Sequence, residues 1–168
     1  MKRLIPFLLA ATVCSTALAE MIEGRVVGVS DGDTITVLDR DQRQVKIRLS
    51  GIDAPEKKQT FGQRSKQNLS RLVFNKEVRV EWHKRDRYKR TIGKVWVQPS
   101  DCNECAHTLD ANLAQLNAGM AWWYRQYANE QPVEDQSRYS RMEADAQARR
   151  AGLWADSSSM PPWEWRHR

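Results

Sequence analysis

Cysteine is scarce in this chain. Only three occur in 168 residues, and Cys14 falls in a leader expected to be removed, which leaves Cys102 and Cys105. A structural zinc site takes four ligands, and His107 is the one nearby residue to join the pair, so zinc is not expected. A thioredoxin-like redox pair would open a helix directly after a buried strand, and no such strand runs directly into Cys102. In a polar loop of an exported protein, a C-x-x-C pair is most simply a local disulfide. Long apolar runs are missing too. The run Leu4 to Val13 is too short to span a bilayer, and there is neither an internal repeat nor a second domain.

The same run has another use. Lys2 and Arg3 precede it and Ala17-Leu18-Ala19 follows it, which is the order of an export signal with a small-x-small cleavage site. Residues 1–19 are therefore expected to be cleaved near Ala19, giving a secreted or periplasmic protein with no stable membrane association. What remains is about one ordinary domain in length, enough for a single core. The formal net charge of +6 falls by two with Lys2 and Arg3. A mild positive balance favours an anionic partner only weakly, so the positions of the arginines matter more than their number.

Periodicity divides the chain. Met21 to Val29, Thr34 to Leu38 and Val45 to Leu49 alternate as strands, the first two joined by the Asp31-Gly32 turn. From Phe61 to Phe74 the period changes: Leu69, Leu72 and Val73 share one face and charged residues the other, as an amphipathic helix requires. Val78, Val80 and Trp82 return to period two, and Ile92 to Val97 supplies a fifth strand. A five-stranded antiparallel sheet of this size is expected to curl and hide its edges, as in the OB-fold barrel. The fold class is thus α+β, a five-stranded barrel with about three α-helices. Asp110 is placed to cap a helix through Asn117, with Gly119 ending it in a left-handed turn. Another helix runs from about Val133 to Arg150, with Tyr139, Met142 and Ala146 inward and Gly152 as terminator. The domain is expected over 20–156. The Ser157 to Ser159 run and Pro161-Pro162 read as a poorly ordered, flexible tail over 157–168.

The chemistry sits where strands end. Asp31-Gly32-Asp33-Thr34 and the block from Arg48 to Glu56 bring carboxylates and an arginine to two neighbouring turns. Clustered carboxylates repel unless a cation lies among them, and hard oxygen ligands select calcium or magnesium over zinc. Asp33 and Asp53 are the expected metal ligands, while Asp31, an aspartate before glycine, is expected to close its own turn. Pro55 restricts the backbone before Glu56, whose carboxylate would deprotonate a water held near the metal. Arg48 and one arginine of the Arg85 to Arg90 stretch would grip a phosphate, since bidentate guanidinium groups match its oxygens. Trp122, Trp123, Tyr124 and Tyr127 are divided between base stacking and the core.

Together these motifs resemble the staphylococcal-nuclease-like, or thermonuclease, family over about Ile22 to Trp154. The resemblance rests on Asp31-Gly32-Asp33-Thr34, the Arg48 to Glu56 block and Asp86-Arg87-Tyr88-Lys89-Arg90, supported by Gly119-Met120-Ala121 and Gly152-Leu153-Trp154. It implies an OB-fold barrel that hydrolyses DNA and RNA with Ca2+, leaving 3′-phosphate ends. It further implies that Asp33, Asp53 and the carbonyl of Ala54 bind calcium, that Arg48 and Arg90 hold the phosphate, that Glu56 orients or deprotonates water, and that Tyr88 touches substrate. DNA and RNA are then the partners, with no obligate protein partner. Two positions depart from the family pattern: Ala54 stands where other members carry threonine, and Lys89 where glycine commonly precedes the last arginine. A left-handed backbone at Lys89 would cost roughly 1 to 2 kcal/mol and bear on where Arg90 points. The competing function is a non-catalytic, single-strand-binding barrel, which would be expected to have lost the carboxylates that this chain keeps.

Overall fold

A computed structural model of the chain describes residues 20–102 and 104–168; the expected export signal, residues 1–19, lies outside them. Three strands form a meander: β1 (Glu20–Val29), β2 (Thr34–Asp39) and β3 (Gln44–Leu49). A two-residue β4 (Ile52–Asp53) and helix α1 (Gly62–Val73) come next, followed by β5 (Glu77–Arg85) and β6 (Thr91–Val97). The rest is β7 (Leu109–Asp110), α2 (Ala111–Asn117), β8 (Trp122–Trp123), a 3-10 turn at Arg125–Glu130, α3 (Val133–Ala148), a second 3-10 turn at Gly152–Ala155 and α4 (Pro162–Trp165).

Strand β1 serves two neighbours, pairing antiparallel with β2 and with β5. An irregularity in its register to β2 between Val26 and Gly28 bends it, as a bulge does. The barrel closes where β3 meets β6, with Ile47 opposite Thr91 and Leu49 opposite Gly93, and this pair is parallel. The expectation of an antiparallel sheet throughout is corrected at this seam. The five-stranded barrel itself is as expected, with β7 extending β6 as a short sixth strand. Alternation fills its interior: Val26, Ile35, Val37, Ile47, Leu49, Val78, Val80, Val95 and Val97 are buried, and Leu69 and Val73 of α1 close one end.

The helical half is pinned by buried polar contacts. Asp110 caps α2 by accepting from the Leu113 N–H at 3.0 Å, and the Tyr139 hydroxyl from α3 donates to the same carboxylate at 3.1 Å. Gly119 and Gly152 both have positive φ, 63° and 53°. They face each other so closely that a side chain on either would strike the other's backbone neighbourhood, and the Leu153 N–H bonds the Gly119 carbonyl at 2.8 Å. Cys102 and Cys105 form a disulfide with Cα atoms 5.5 Å apart. Among the described residues, no helix is long and apolar enough to cross a membrane.

Within residues 157–168, expected as a flexible tail, lies a short helix that, with its neighbour Arg166, has partners in the cleft. Pro162 opens α4, a position where its missing N–H costs nothing, and is itself buried. The segment folds back over the barrel mouth because it has partners there that a local reading of serines and prolines does not reveal.

Candidate active site

Two loops carry the acidic residues, and the helical half braces both. Gly32 presses so tightly on α1 that a side chain there would collide with the Ser65 hydroxyl and the Ala54 methyl. Gln115 of α2, fully buried, donates to the Gly32 carbonyl at 2.6 Å. Its neighbour one turn back, Asn112, donates to the Ser50 carbonyl at 2.9 Å and accepts from the Val95 N–H at 3.0 Å. Strand β8 then pairs with β4, setting Trp122 opposite Asp53. The Glu143 carboxylate of α3 holds β8 by accepting from the Trp123 N–H at 2.9 Å and by pairing with Arg125. Asn112 and Gln115 went unremarked in the sequence; their signal was two amides on the same α2 face as the buried Leu116.

At the mouth, alternation decides direction. Ile47 and Leu49 point into the barrel, so Arg48 between them points the other way, toward the turns after β1 and β3. Its guanidinium lies 2.9 Å from Asp33 and 2.7 Å from Asp53 and donates to the Ile52 carbonyl at 2.9 Å. Asp33 also accepts from the Ala54 N–H at 2.7 Å and the Thr34 hydroxyl at 3.0 Å. Asp31 closes the turn by accepting from the Asp33 N–H at 3.2 Å. Asp33 is 6% and Asp53 1% exposed. Burial, opposed by the Arg48 charge and reinforced by Asp31 and Asp53, pushes the Asp33 carboxyl up to about 7. Burial pulls Arg48 down, but Asp33 and Asp53 more than offset it and leave the guanidinium above its usual range.

Glu56 joins this group through a residue the sequence reading missed. Arg166, from the segment after α3, bonds Asp53 at 2.8 Å and Glu56 at 2.9 Å. Beside it Trp163 stacks on Tyr124, ring centroids 5.5 Å apart and planes within 7°. A proline pair followed by two tryptophans in an otherwise polar stretch was the available signal, since exposed tails seldom carry such aromatics.

The opposite rim is the β5–β6 hairpin. Asp86 closes it, accepting from the N–H groups of Tyr88 and Arg90 at 2.9 Å each and from the Arg90 side chain at 2.7 Å. Against a burial effect, these bonds, those from Arg90 first, hold Asp86 below the usual carboxylate range. Lys89 adopts φ 62°, a left-handed backbone, and Arg90 lines the cleft with its side chain held by Asp86. Tyr88 is 64% exposed at the lip, with Arg87 and Arg90 over its ring at 4.9 and 5.4 Å. Of the four aromatics weighed for stacking, Trp122 is buried, Trp123 packs against the core, and Tyr124 and Tyr127 line the cleft. Asp33, Arg48, Asp53, Ala54, Glu56, Tyr88 and Arg90 thus surround one open cleft of about 850 Å³.

The donor set bears on a metal. Among the described residues, no group of three or more histidine, cysteine or acidic side chains converges as a metal cluster. Asp33 and Asp53 share Arg48 and offer only oxygen. That fits a hard cation taking the rest of its six to eight oxygens from backbone, water and a phosphate.

A closed barrel with carboxylates and guanidinium groups around a cleft at its mouth defines a hydrolase of the nuclease class. Residues 46–156 match the family model described as staphylococcal nuclease homologue. An uncharacterized endonuclease of Haemophilus influenzae is 42% identical over 97% of this chain and 83% of its own length. Protein ParB of Escherichia coli is 41% identical over 99% and 90%. A micrococcal nuclease of Shigella flexneri is 40% identical over 85% and 79%. The chain belongs to the staphylococcal nuclease family.

Proposed function

We propose that this protein is an exported, calcium-dependent nuclease that hydrolyses DNA and RNA with little sequence specificity and leaves 3′-phosphate ends. The observation that carries the reading is the pairing of Asp33 and Asp53 on one buried guanidinium, Arg48, beside an open cleft that also holds Glu56 and Arg90. The relatives named endonuclease and micrococcal nuclease support the substrate class. Export is supported by the Lys2 to Ala19 pattern and by the Cys102–Cys105 disulfide, a bond suited to an oxidising compartment.

In this reading Asp33, Asp53 and the Ala54 carbonyl hold the calcium, which when bound polarises the phosphate as a Lewis acid. Arg48 and Arg90 grip equatorial phosphate oxygens, whose charge grows as phosphorus becomes five-coordinate, so the grip tightens in the transition state. Glu56 accepts the proton of the attacking water. The water oxygen bonds to phosphorus and the bond to the 5′-oxygen breaks, the 5′-oxygen taking a proton from solvent in the open cleft to leave as a hydroxyl, so the phosphate stays on the 3′ side. Tyr88, at the lip, contacts the substrate. Nothing in the cleft reads base edges by this scheme, which accounts for low sequence specificity.

The test is cleavage of single-stranded DNA and RNA with calcium and then with excess chelator, followed by end-group analysis of the products. Cleavage with calcium, loss with chelator and 3′-phosphate termini are expected. Undiminished cleavage in chelator would overturn the metal assignment, and 5′-phosphate products would overturn the scheme for the attack.

A further inference from the structure

Residues 160–168 lie beyond the part of the chain that the family model matches, yet they reach the cleft through three separate contacts. At the root, Gln59 is buried and its amide is shared: the oxygen accepts from the Glu56 N–H at 3.1 Å, and the nitrogen donates to the Met160 carbonyl at 2.5 Å. In the middle, Trp163 lies flat on Tyr124. At the tip, the Arg166 guanidinium takes both oxygens of Asp53 and one of Glu56. Asp53 therefore faces two guanidinium groups, Arg48 on one side and Arg166 on the other.

We propose that this segment is a strap whose Arg166 stands in for the divalent cation at Asp53 and Glu56, so that the closed strap and a bound calcium exclude one another. The proposal rests on reading the cleft as a calcium site. With Arg48 and Arg166 on one Asp53 oxygen and Arg166 again on the other, the Arg166 guanidinium occupies the side of the carboxylate that opens to the cleft, where a metal would also bind. Glu56 bonded to Arg166 is not free to take a proton from water. Arg166 remains partly exposed, its side chain 38% accessible, and ion pairs so exposed are weak. Its single charge is a poor competitor for a dication, and so the latch yields to calcium. The strap opens when the metal arrives and protects the acidic pair when it is absent. Because the same root residue, Gln59, holds both the Glu56 backbone and the strap, opening and the placement of Glu56 are linked.

Calcium affinity, read without any substrate, tests this. Isothermal titration calorimetry is run on the parent, on Arg166→Ala, and on Arg168→Ala, which removes the same charge from the same segment at an exposed residue packed on Trp165. A competitor closed most of the time lowers apparent affinity by the fraction of open molecules. Arg166→Ala is expected to bind calcium at least about threefold more tightly than the parent, and Arg168→Ala within about 1.5-fold of it. In parallel, the side-chain NMR resonances of Trp163, shifted by the Tyr124 ring, are expected to move to values of an unstacked tryptophan when the parent is saturated with calcium. Equal affinity of parent and Arg166→Ala, or Trp163 resonances that stay in place, would overturn the strap while leaving the calcium site intact. Absence of calcium binding in all three proteins would overturn the calcium reading and the strap with it.

Discussion

Replacing Arg48 by alanine tests whether the barrel mouth is held by charge. The side chain is 11% accessible and makes two ion pairs, at 2.9 Å to Asp33 and 2.7 Å to Asp53, besides its bond to the Ile52 carbonyl. Removing one partner of a buried ion pair leaves an uncompensated charge and typically costs about 3 to 5 kcal/mol. Here the loss has a pH signature. Asp33 titrates at about 7, and Arg48 is the chief influence holding it down, so its loss raises the folded-state pKa further. A carboxyl whose folded pKa lies above its unfolded value binds more protons in the folded state. Stability therefore falls as pH rises from about 4 through that folded pKa. The variant's penalty should be about 3 kcal/mol or more at pH 8 and smaller at pH 5 by up to about 1.4 kcal/mol, because only above about pH 7 does Asp33 ionise in the parent while it stays protonated in the variant. Urea unfolding in chelator at the two pH values measures this. A penalty below about 1 kcal/mol at pH 8, or one equal at both pH values, would refute the claim that Arg48 compensates the buried carboxylates.

Three other variants probe the chemistry and the hairpin. Glu56→Gln should lower kcat by about two to four powers of ten, the scale of a positioned general base, with little change in DNA affinity measured in a binding assay; parent-like turnover would remove Glu56 from that role. Arg90→Ala should cripple cleavage while Arg87→Ala, whose side chain lies over the exposed Tyr88 ring, should not, and the reverse ranking in a cleavage assay would mean that Arg87 is the phosphate ligand. Lys89→Gly should raise the melting temperature, since Lys89 sits at φ 62° and a non-glycine residue there costs roughly 1 to 2 kcal/mol; a lower melting temperature would show that the turn is not strained.

Much of this molecule was legible because its signals are local. Val78, Val80 and Trp82 announced β5 by alternation, Asp110 the α2 cap, and Gly119 the left-handed end of α2; the expected terminator Gly152 is corrected, because α3 ends at Ala148 and Arg150, at φ 52°, takes the left-handed backbone there. The site was legible for the same reason: Asp33, Arg48, Asp53 and Glu56 lie within two short motifs at adjacent strand ends, and the turns that hold them carry their own glycine and proline markers. What escaped was non-local. The parallel seam joins Arg48 to Ile92, and no local periodicity records which distant strand closes a barrel. The bracing amides Asn112 and Gln115 look like ordinary helix residues until their backbone partners at Ser50 and Gly32 are known. Arg166 is the extreme case. Its partners Asp53 and Glu56 are more than a hundred residues earlier, and its own neighbourhood, with prolines and serines, reads as tail. Lys89 lies between these extremes: the family pattern raised a left-handed backbone there only as a condition, which φ 62° meets, and the engagement of Arg90 by Asp86 was not foreseen.

The central claim is that one cation and one phosphate meet between the carboxylates and guanidinium groups of this cleft. The most direct measurement is a crystal structure grown with calcium and a short single-stranded oligonucleotide carrying a non-hydrolysable linkage. The account predicts an ion about 2.3 to 2.6 Å from oxygens of Asp33 and Asp53, with the phosphate between that ion and Arg48 and with Arg166 withdrawn. An oligonucleotide bound elsewhere, or bound in the cleft with Arg166 still on Asp53 and no ion present, would contradict it.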